Sequence, residues 1–572
     1  MFWFLFGALC LGLSLRYVND ADIWFQLLAG RFALENLAVP HREFFLYAGA
    51  AAEQLFGGWG FGVLAELAVR AGGWSGLSIF NSLLWSLMLC MGIAAARARL
   101  DCQASGSFTA SELAAFAITL LVVYQAFLER SDIRAEVTLY LAWMVGAVLF
   151  ENTTPSRNAR ALILFPLVCF LLAWLHTTAV LMLPLFAAYA LRRWLQRNEA
   201  ALTSGESLKW VASLTACLIL PALTPNGIYQ SYSQPLHWLF GSDGETTIPN
   251  ALFTNLEYLP VWDARSRAFW PVAVVLSLGT LTWAALDMRR RPWDLVTLIP
   301  MAYMAMTHRR GLGLWAMALL VPLAAALARA LRELDEKKPF TRSLVPAQLG
   351  AAAVAVVATC VLVAQSHKWG WGLHREAGIR ADEVAKVVAR LMPEGGNALM
   401  LDQIAPQLPY LLGPKYKVAF AGHLVLPNRE ATEHYVRVMG TLPGWNAELD
   451  KYNVQVVAVP TLILPYPDLV GIANRLASHP GWDLAAVDRQ ILVFHRRPAG
   501  PPPPPAQRWK QLHAYFENAL EMAQAANLIA PQPRTAALAT GLRKGLQVLE
   551  AVRERPQDFN WSKMDVEAGY AK

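Results

Sequence analysis

The chain has 572 residues, 55% of them apolar and only 16% charged, with a mean hydropathy of +0.33. A soluble globular protein carries roughly 25% charged residues. The apolar excess sits in blocks before position 365 and nearly vanishes afterwards, which excludes a wholly soluble enzyme, a disordered scaffold and a nucleic-acid binder. The composition reads as a polytopic α-helical membrane protein with a soluble C-terminal part. The six cysteines (Cys10, Cys90, Cys102, Cys169, Cys217 and Cys360) show no zinc-type spacing, and all but Cys102 fall inside apolar blocks. A disulfide framework and a structural metal cluster are therefore not expected.

In chain order the apolar blocks lie near 2–18, 75–96, 113–128, 137–150, 160–175, 177–191, 208–223, 268–286, 293–306, 311–328 and 345–365, which predicts about 11 transmembrane helices. The first block is followed directly by Arg16 and Tyr17 and lacks a cleavage site, so it reads as a retained span. With the N-terminus in the cytoplasm, sixteen of the 26 Lys and Arg residues before 366 fall in cytoplasmic loops. The positive-inside rule thus favours that orientation and sends the C-terminal part outside. On this reading the net charge of +7 is mostly a signature of topology.

Two long outer segments result, about 19–74 and 224–267. In the first, Asp22–Asn36 and Trp59–Val69 have helical apolar spacing and suit helices lying in the interface, with Asp22, Gln26 and Arg31 off the apolar positions. After 365, strand-like runs (Ala398–Leu401, Lys417–Ala421, Val454–Val459, Leu484–Val487, Ile491–His495) alternate with the helical patterns Ala381–Leu391 and Asn428–Met439. That alternation predicts a small α/β domain. The expected organisation is a membrane domain over 1–365, an α/β domain over 366–500, a polyproline linker over 501–505 and a helical tail over 506–572.

Ionisable groups collect at the outer ends of the spans: Asp20 and Asp22, the Glu129–Glu136 run with Arg134 and Glu136, His176, Glu257, and His308 with Arg309 and Arg310. Charge beside a membrane core is costly and is usually functional or paired. The bland alternatives stand beside this. Asp20 and Asp22 can simply end a span and cap a helix, the Glu129–Glu136 run can be a solvated loop, and the arginine pair can anchor to headgroups. In the soluble domain Asp402, His423, Glu433 and His434 are scattered, and Gly395-Gly396 does not make a phosphate loop, so no active site is expected there.

Asp20-Ala21-Asp22-Ile23-Trp24-Phe25-Gln26-Leu27, then Gly30-Arg31 and Val39-Pro40, resembles the D-x-D-x-W-x-x-L…G…V-P pattern of bacterial membrane proteins in the GT-C superfamily of glycosyltransferases. This is the group of the dolichyl-phosphate-mannose-dependent protein mannosyltransferases. Trp174-x-His176, Thr224-Pro225-Asn226-Gly227, Leu256-Glu257-Tyr258, Arg309-Arg310, Trp445 and Asp450-Lys451-Tyr452-Asn453-Val454 extend the resemblance over about residues 15–500.

The resemblance implies a GT-C-like fold and inverting transfer of a sugar from a polyprenyl-phosphate-linked donor to an acceptor hydroxyl on the extracytoplasmic face. It makes Asp20 the catalytic base, Asp22 its partner, and Arg309 and Arg310 the holders of the lipid phosphate, with Arg134, Glu136, His176 and Glu257 lining the cleft. A divalent metal, if one is used, falls to Asp20 and Asp22. The implied setting is the bacterial inner membrane. The partners are a lipid-linked sugar, membrane lipids, an acceptor glycan, lipid or protein, and a protein partner at the C-terminal domain; no nucleic acid is implied. One departure stands out, because relatives often carry His-Glu-Trp where this chain has Gly57-Gly58-Trp59. Either Glu53 substitutes, or the pair is dispensable, or activity is lost. The last case makes the chain a non-catalytic assembly protein that keeps the fold.

Overall fold

A computed structural model describes residues 2–18, 22–49, 56–100, 108–130, 132–152, 158–196, 204–228, 231–232, 260–337, 344–365, 381–401, 405–419, 429–460, 481–487 and 491–497, with isolated positions between 472 and 553. The chain divides into two compact units. One comprises Met1–Val39, Gly57–Thr247 and Thr254–His374; the other comprises Pro40–Phe56, Ile248–Phe253 and Arg375–Lys572.

Among the described residues the named elements of the first unit are helices. Its main elements are α1 (Phe2–Leu13), α2 (Asp22–Asn36), α3 (Trp59–Arg99), α4 (Ala110–Arg130), α5 (Glu136–Glu151), α6 (Asn158–Leu175), α7 (Leu183–Leu195), α8 (Ser204–Ala222), α9 (Trp270–Asp287), α10 (Leu295–Thr307), α11 (Leu312–Lys337) and α12 (Leu344–Gln365). Each of the eleven apolar blocks coincides with one of these helices. Among the described residues five helical segments are long and apolar enough to cross a membrane: Trp59–Arg99, Ala110–Leu128, Ser266–Asp287, Arg309–Glu336 and Val345–Gln365. Ala159–Leu175 is a shorter apolar helix.

Burial sorts them. The α11 segment is almost wholly enclosed by its neighbours, whereas α9 and α12 are mostly exposed along their apolar windows. Leu278, Leu281, Val354 and Val357 stand out from these helices, each more than half exposed. Such surface is unfavourable in water and stable against hydrocarbon.

Helix α3 is broken where the sequence has two adjacent glycines. Gly72 and Gly73 leave helical geometry, Gly73 at φ 59°, a conformation glycine adopts without a side-chain clash. The break divides the Trp59 stretch from the span expected over 75–96. Helix α2 packs on the first part of α3 through bare backbone, since a Cβ on Gly30 would lie 2.2 Å from the Gly62 carbonyl. Arg31 and Arg70 both reach the buried Glu66, at 3.1 and 3.0 Å, and tie the crossing together. The Gly30-Arg31 pair of the sequence motif is thus a packing device. Arg16, fully buried, donates to the carbonyls of Leu13 and Leu15 and to the Tyr124 hydroxyl. It satisfies the end of α1, where a cation also suits the helix dipole.

The second unit contains α13 (Ala381–Leu391), β1 (Gly396–Met400), α14 (Gln407–Leu412), β2 (Tyr416–Val418), α15 (Arg429–Met439), α16 (Trp445–Lys451), β3 (Val454–Pro460), β4 (Trp482–Val487) and β5 (Ile491–Arg496). The strands form one sheet in the order β2-β1-β3-β5-β4, with β1 parallel to β2 and β3, and β5 antiparallel to β3 and β4. Segment 43–47 adds to the β2 edge, where Leu46 pairs with Val418, Tyr47 N–H donates to the Val418 carbonyl and Val418 N–H donates to that of Phe45. Backbone groups on an exposed strand edge seek such partners. The Asp450-Lys451-Tyr452-Asn453-Val454 motif makes the turn from α16 into β3. Asn453 takes a positive φ there, Asp450 pairs with Arg496, and Asn397 donates to the Tyr452 carbonyl. In the tail the Trp509 indole donates to the Leu549 carbonyl at 2.7 Å.

Candidate functional site

Four helix ends of the first unit meet around Gly58, which starts α3 at φ 76°. A Cβ on Gly58 would lie 3.2 Å from the Ala135 Cβ and 3.7 Å from both the Gln26 amide nitrogen and the Leu175 carbonyl oxygen. Gly60 and Gly62 press as closely, against the Trp174 carbonyl and the Gln26 carbonyl. A run of small residues therefore brings the beginning of α2, the beginning of α5 and the end of α6 onto the beginning of α3. This also gives the Gly57-Gly58 departure a physical content. A histidine or glutamate at Gly58 would collide with Ala135 in a backbone conformation that disfavours any side chain.

Charged residues are held at the same place. Asp22, in the first turn of α2, faces Arg134 just before α5, with 3.4 Å between Oδ2 and Nη1. Its side chain remains 41% exposed. Two residues past Arg134, Glu136 opens α5 and accepts from Nε and Nη2 of Arg310 at 2.9 and 2.7 Å. The Arg309 guanidinium lies over the Phe269 ring, 4.0 Å from its centroid, a favourable seat for a cation. The short 3-10 turn Arg309–Gly311 that carries both arginines packs Gly311 against the Met304–Ala305 backbone.

His176 follows α6 and shares a 2.6 Å hydrogen bond with the Thr178 hydroxyl. Asn226 of the Thr224-Pro225-Asn226-Gly227 motif donates to the carbonyl of Ala173, three residues before His176. Two motifs separated by some fifty positions in sequence are therefore one local structure.

Of the residues named from sequence, Asp22, Arg134, Glu136, His176, Arg309 and Arg310 are thus placed, with Asp22–Arg134 and Glu136–Arg310 joined as pairs and the first three of these four on elements that flank Gly58. Asp20 and Glu257 lie outside the described residues. Among the described residues no three His, Cys, Asp or Glu side chains gather as a metal site. The Asp22 carboxylate faces the Arg134 guanidinium.

Sequence reasoning missed Gln26, Trp59 and Trp174 as members of this site. Gln26, expected off the apolar positions, is only 6% exposed. The signal available was a glutamine in an otherwise apolar stretch opening with a carboxylate. Its burial depends on a neighbouring helix that carries glycines.

A second cluster lies in the other unit. His434, buried, meets the Tyr47 hydroxyl at 2.9 Å and Glu448 at 3.3 Å, with Tyr452 ring-on-edge against it. Burial holds the His434 imidazole below its ordinary range, against the pull of Glu448. Glu43 accepts the backbone N–H groups of Phe44, Phe45 and Leu46 on one oxygen, while its other oxygen is buried without a partner. Desolvation outweighs the three N–H donors and pushes its carboxyl up to about 7. His434, expected to be scattered, is therefore integrated into the docking of segment 43–47. His423 and Asp402 lie outside the described residues.

No protein-family model and no curated protein matches the chain by sequence. Solved structures do match its fold. The archaeal oligosaccharyltransferase AglB from Archaeoglobus fulgidus, in complex with an inhibitory peptide and a dolichol-phosphate, superposes with a TM-score of 0.53 at 11% identity, covering 84% of this chain and 73% of that one. The apo form of the Archaeoglobus fulgidus enzyme gives 0.54 over 88% and 75% at the same identity. ArnT from Cupriavidus metallidurans bound to undecaprenyl phosphate gives 0.50 at 12% identity, over 87% and 98%. The chain shares the fold of these proteins and, with its long apolar helices, is a multi-pass membrane protein.

Proposed function

We propose that the chain is an inverting membrane glycosyltransferase that moves a sugar from a polyprenyl-phosphate-linked donor to an acceptor hydroxyl. The observation that carries this reading is the meeting of Asp22–Arg134 and Glu136–Arg310 on helix ends around Gly58, in a chain whose fold is shared with enzymes solved with dolichol-phosphate and undecaprenyl phosphate. An accessible carboxylate takes the proton of the acceptor hydroxyl as its oxygen bonds to the anomeric carbon. The bond from that carbon to the lipid phosphate breaks, and the phosphate leaves with the lipid. Guanidinium groups suit the charge that develops on the departing phosphate.

In this assignment Asp20 is the base, Asp22 is set in place by Arg134, and Arg309 and Arg310 hold the phosphate, Arg310 oriented by Glu136. His176 and Glu257 complete the cleft. The eleven apolar helices cross the bacterial inner membrane, with the N-terminus in the cytoplasm and the 366–500 domain, the 501–505 linker and the 506–572 tail outside. The soluble part offers a docking surface for acceptor or partner.

The test is transfer from undecaprenyl-phosphate sugars by the purified full-length chain. Loss of transfer in Asp20→Ala and in Asp22→Ala, at unchanged expression and helicity, is the expected result. Full transfer in the double variant would sink the assignment.

A further inference from the structure

Three residues packed about Gly58 each carry a buried polar atom without a hydrogen-bond partner: the Gln26 amide oxygen and the indole nitrogens of Trp59 and Trp174. Gln26 and Trp59 are 6% and 8% exposed. The two indoles stand edge to face with centroids 5.4 Å apart, and the Gln26 amide reaches to 3.7 Å from where a Gly58 Cβ would stand. Leaving one such group unpaired costs about 1–3 kcal/mol, and native interiors rarely keep several in one place.

The chemistry of the set is specific. An indole N–H only donates and an amide oxygen only accepts. A hydroxyl, being both donor and acceptor, can accept from an indole N–H and donate to the Gln26 amide oxygen, whereas an alkyl group would satisfy none. Flat aromatic faces beside such polar atoms also suit a sugar ring, which has apolar C–H faces and polar edges. The position is right as well, because the same Gly58 junction seats Asp22–Arg134 and Glu136.

We infer that Gln26, Trp59 and Trp174 form a subsite for a sugar hydroxyl, on which selection among sugars depends. The inference rests on the glycosyltransferase reading and adds the residues that recognise the sugar. The hydroxyl can belong to the donor's sugar or to a sugar on the acceptor.

The experiment measures binding to the purified full-length chain in two arms. One compares undecaprenyl phosphate with undecaprenyl phosphate carrying glucose, galactose or mannose. The other adds the methyl glycosides of those sugars to the chain loaded with undecaprenyl phosphate. The expected result is one sugar bound about ten-fold more tightly than the others or than the bare lipid, as one well-placed buried hydrogen-bonding group gives. Gln26→Met, close in shape to glutamine, and Trp174→Phe, which keeps an aromatic ring, should each abolish the preference with bare-lipid binding unchanged.

Loss of preference in the first arm places the hydroxyl on the donor, and in the second arm on the acceptor. A preference that survives both substitutions overturns the inference and leaves buried water as the occupant. A chain that binds the bare lipid but distinguishes no sugar in either arm also overturns it. A chain that binds neither bare nor glycosylated lipid overturns the donor reading itself.

Discussion

Charge sits at both ends of the bundle formed by α2, α3 and α5, and the two ends treat it in opposite ways. At the C-terminal ends of α3 and α5, Arg99 and Glu151, with side chains 2% and 1% exposed, sit in a closed lattice. Glu151 accepts from Arg192 at 2.8 Å and from the Tyr189 hydroxyl at 2.7 Å, and faces Arg99 and Arg291 at 3.7 and 3.8 Å. Arg99 also pairs with Asp294, and Arg291 donates to the Arg99 carbonyl. Asp287, wholly buried, is held by Arg329. At the other end Glu136, opening α5, pairs with Arg310, and Arg134 just before it faces Asp22 at the start of α2, whose side chain keeps two-fifths of its surface. Buried charge is tolerated when it is paired, and here each buried carboxylate is held by at least one arginine, although Arg99 Nε, Asp287 Oδ2 and Arg291 Nη1 make no hydrogen bond. At the open end Asp22 stays accessible to solvent, and an accessible group can exchange partners.

This contrast predicts which substitutions act on rate and which on folding. The largest effect is expected at the open end, where Asp20→Ala with Asp22→Ala should cut transfer by a thousand-fold or more, about 4 kcal/mol of barrier, with the thermal midpoint nearly unchanged. At the closed end Glu151→Ala strands Arg99, Arg192 and Arg291 and should cost about 3–5 kcal/mol of stability, read by thermal unfolding in detergent. Its residual folded fraction should keep the wild-type KM. A Glu151→Ala chain as stable as wild type would break the comparison.

Glu43 sharpens the same point in the other unit, being a buried carboxyl whose three partners are all backbone N–H groups on one oxygen. Its folded-state affinity for a proton is raised, from 4.5 to about 7. The stabilisation is therefore complete below pH about 4.5 and lost as pH rises through about 7, amounting to up to about 3 kcal/mol. His434, with its pKa lowered by burial, acts in the opposite sense, losing stability as pH falls below its ordinary value. Glu43→Gln should remove the loss on the alkaline side and expose the His434 term alone, followed by thermal unfolding of the full chain between pH 5 and 8. A midpoint that rises from pH 5 to 8 in wild type would contradict this account.

The smallest effect is expected for Arg134→Gln. It leaves Asp22 in place chemically but unheld, and should lower the rate about ten-fold with little change in stability. Equal loss in Arg134→Gln and Asp22→Ala would make the arginine more than a holder.

Much of this was legible in the sequence, and the reason is local. Apolar blocks long enough to bury a helix were read directly, because each helix satisfies its own backbone and needs only apolar side chains to be stable in hydrocarbon. The strand runs at 398–401, 454–459, 484–487 and 491–495 overlap β1, β3, β4 and β5 of the sheet, since alternation and β-branching are also local properties. Asp22, Arg134, Glu136, His176, Arg309 and Arg310 were found because charge at the end of an apolar block is conspicuous. Gln26, Trp59 and Trp174 were named only as parts of motifs and given no role of their own, because a glutamine and two tryptophans are unremarkable in a chain with 21 tryptophans. Their significance lies in which atoms remain unpaired after four helix ends have closed on Gly58.

By itself, then, the sequence determined the membrane class, the helical blocks, the small α/β unit and the ionisable groups at the block ends. Tertiary structure alone decided that Asp22 faces Arg134, that Glu136 holds Arg310 across 174 positions, and that segment 43–47 joins the sheet of the C-terminal unit. Pairing between distant segments is set by close approach, and here the approach depends on glycines at 30, 58, 60 and 62 that let backbones touch. A sequence shows that those residues are small; only the fold shows what they bring together.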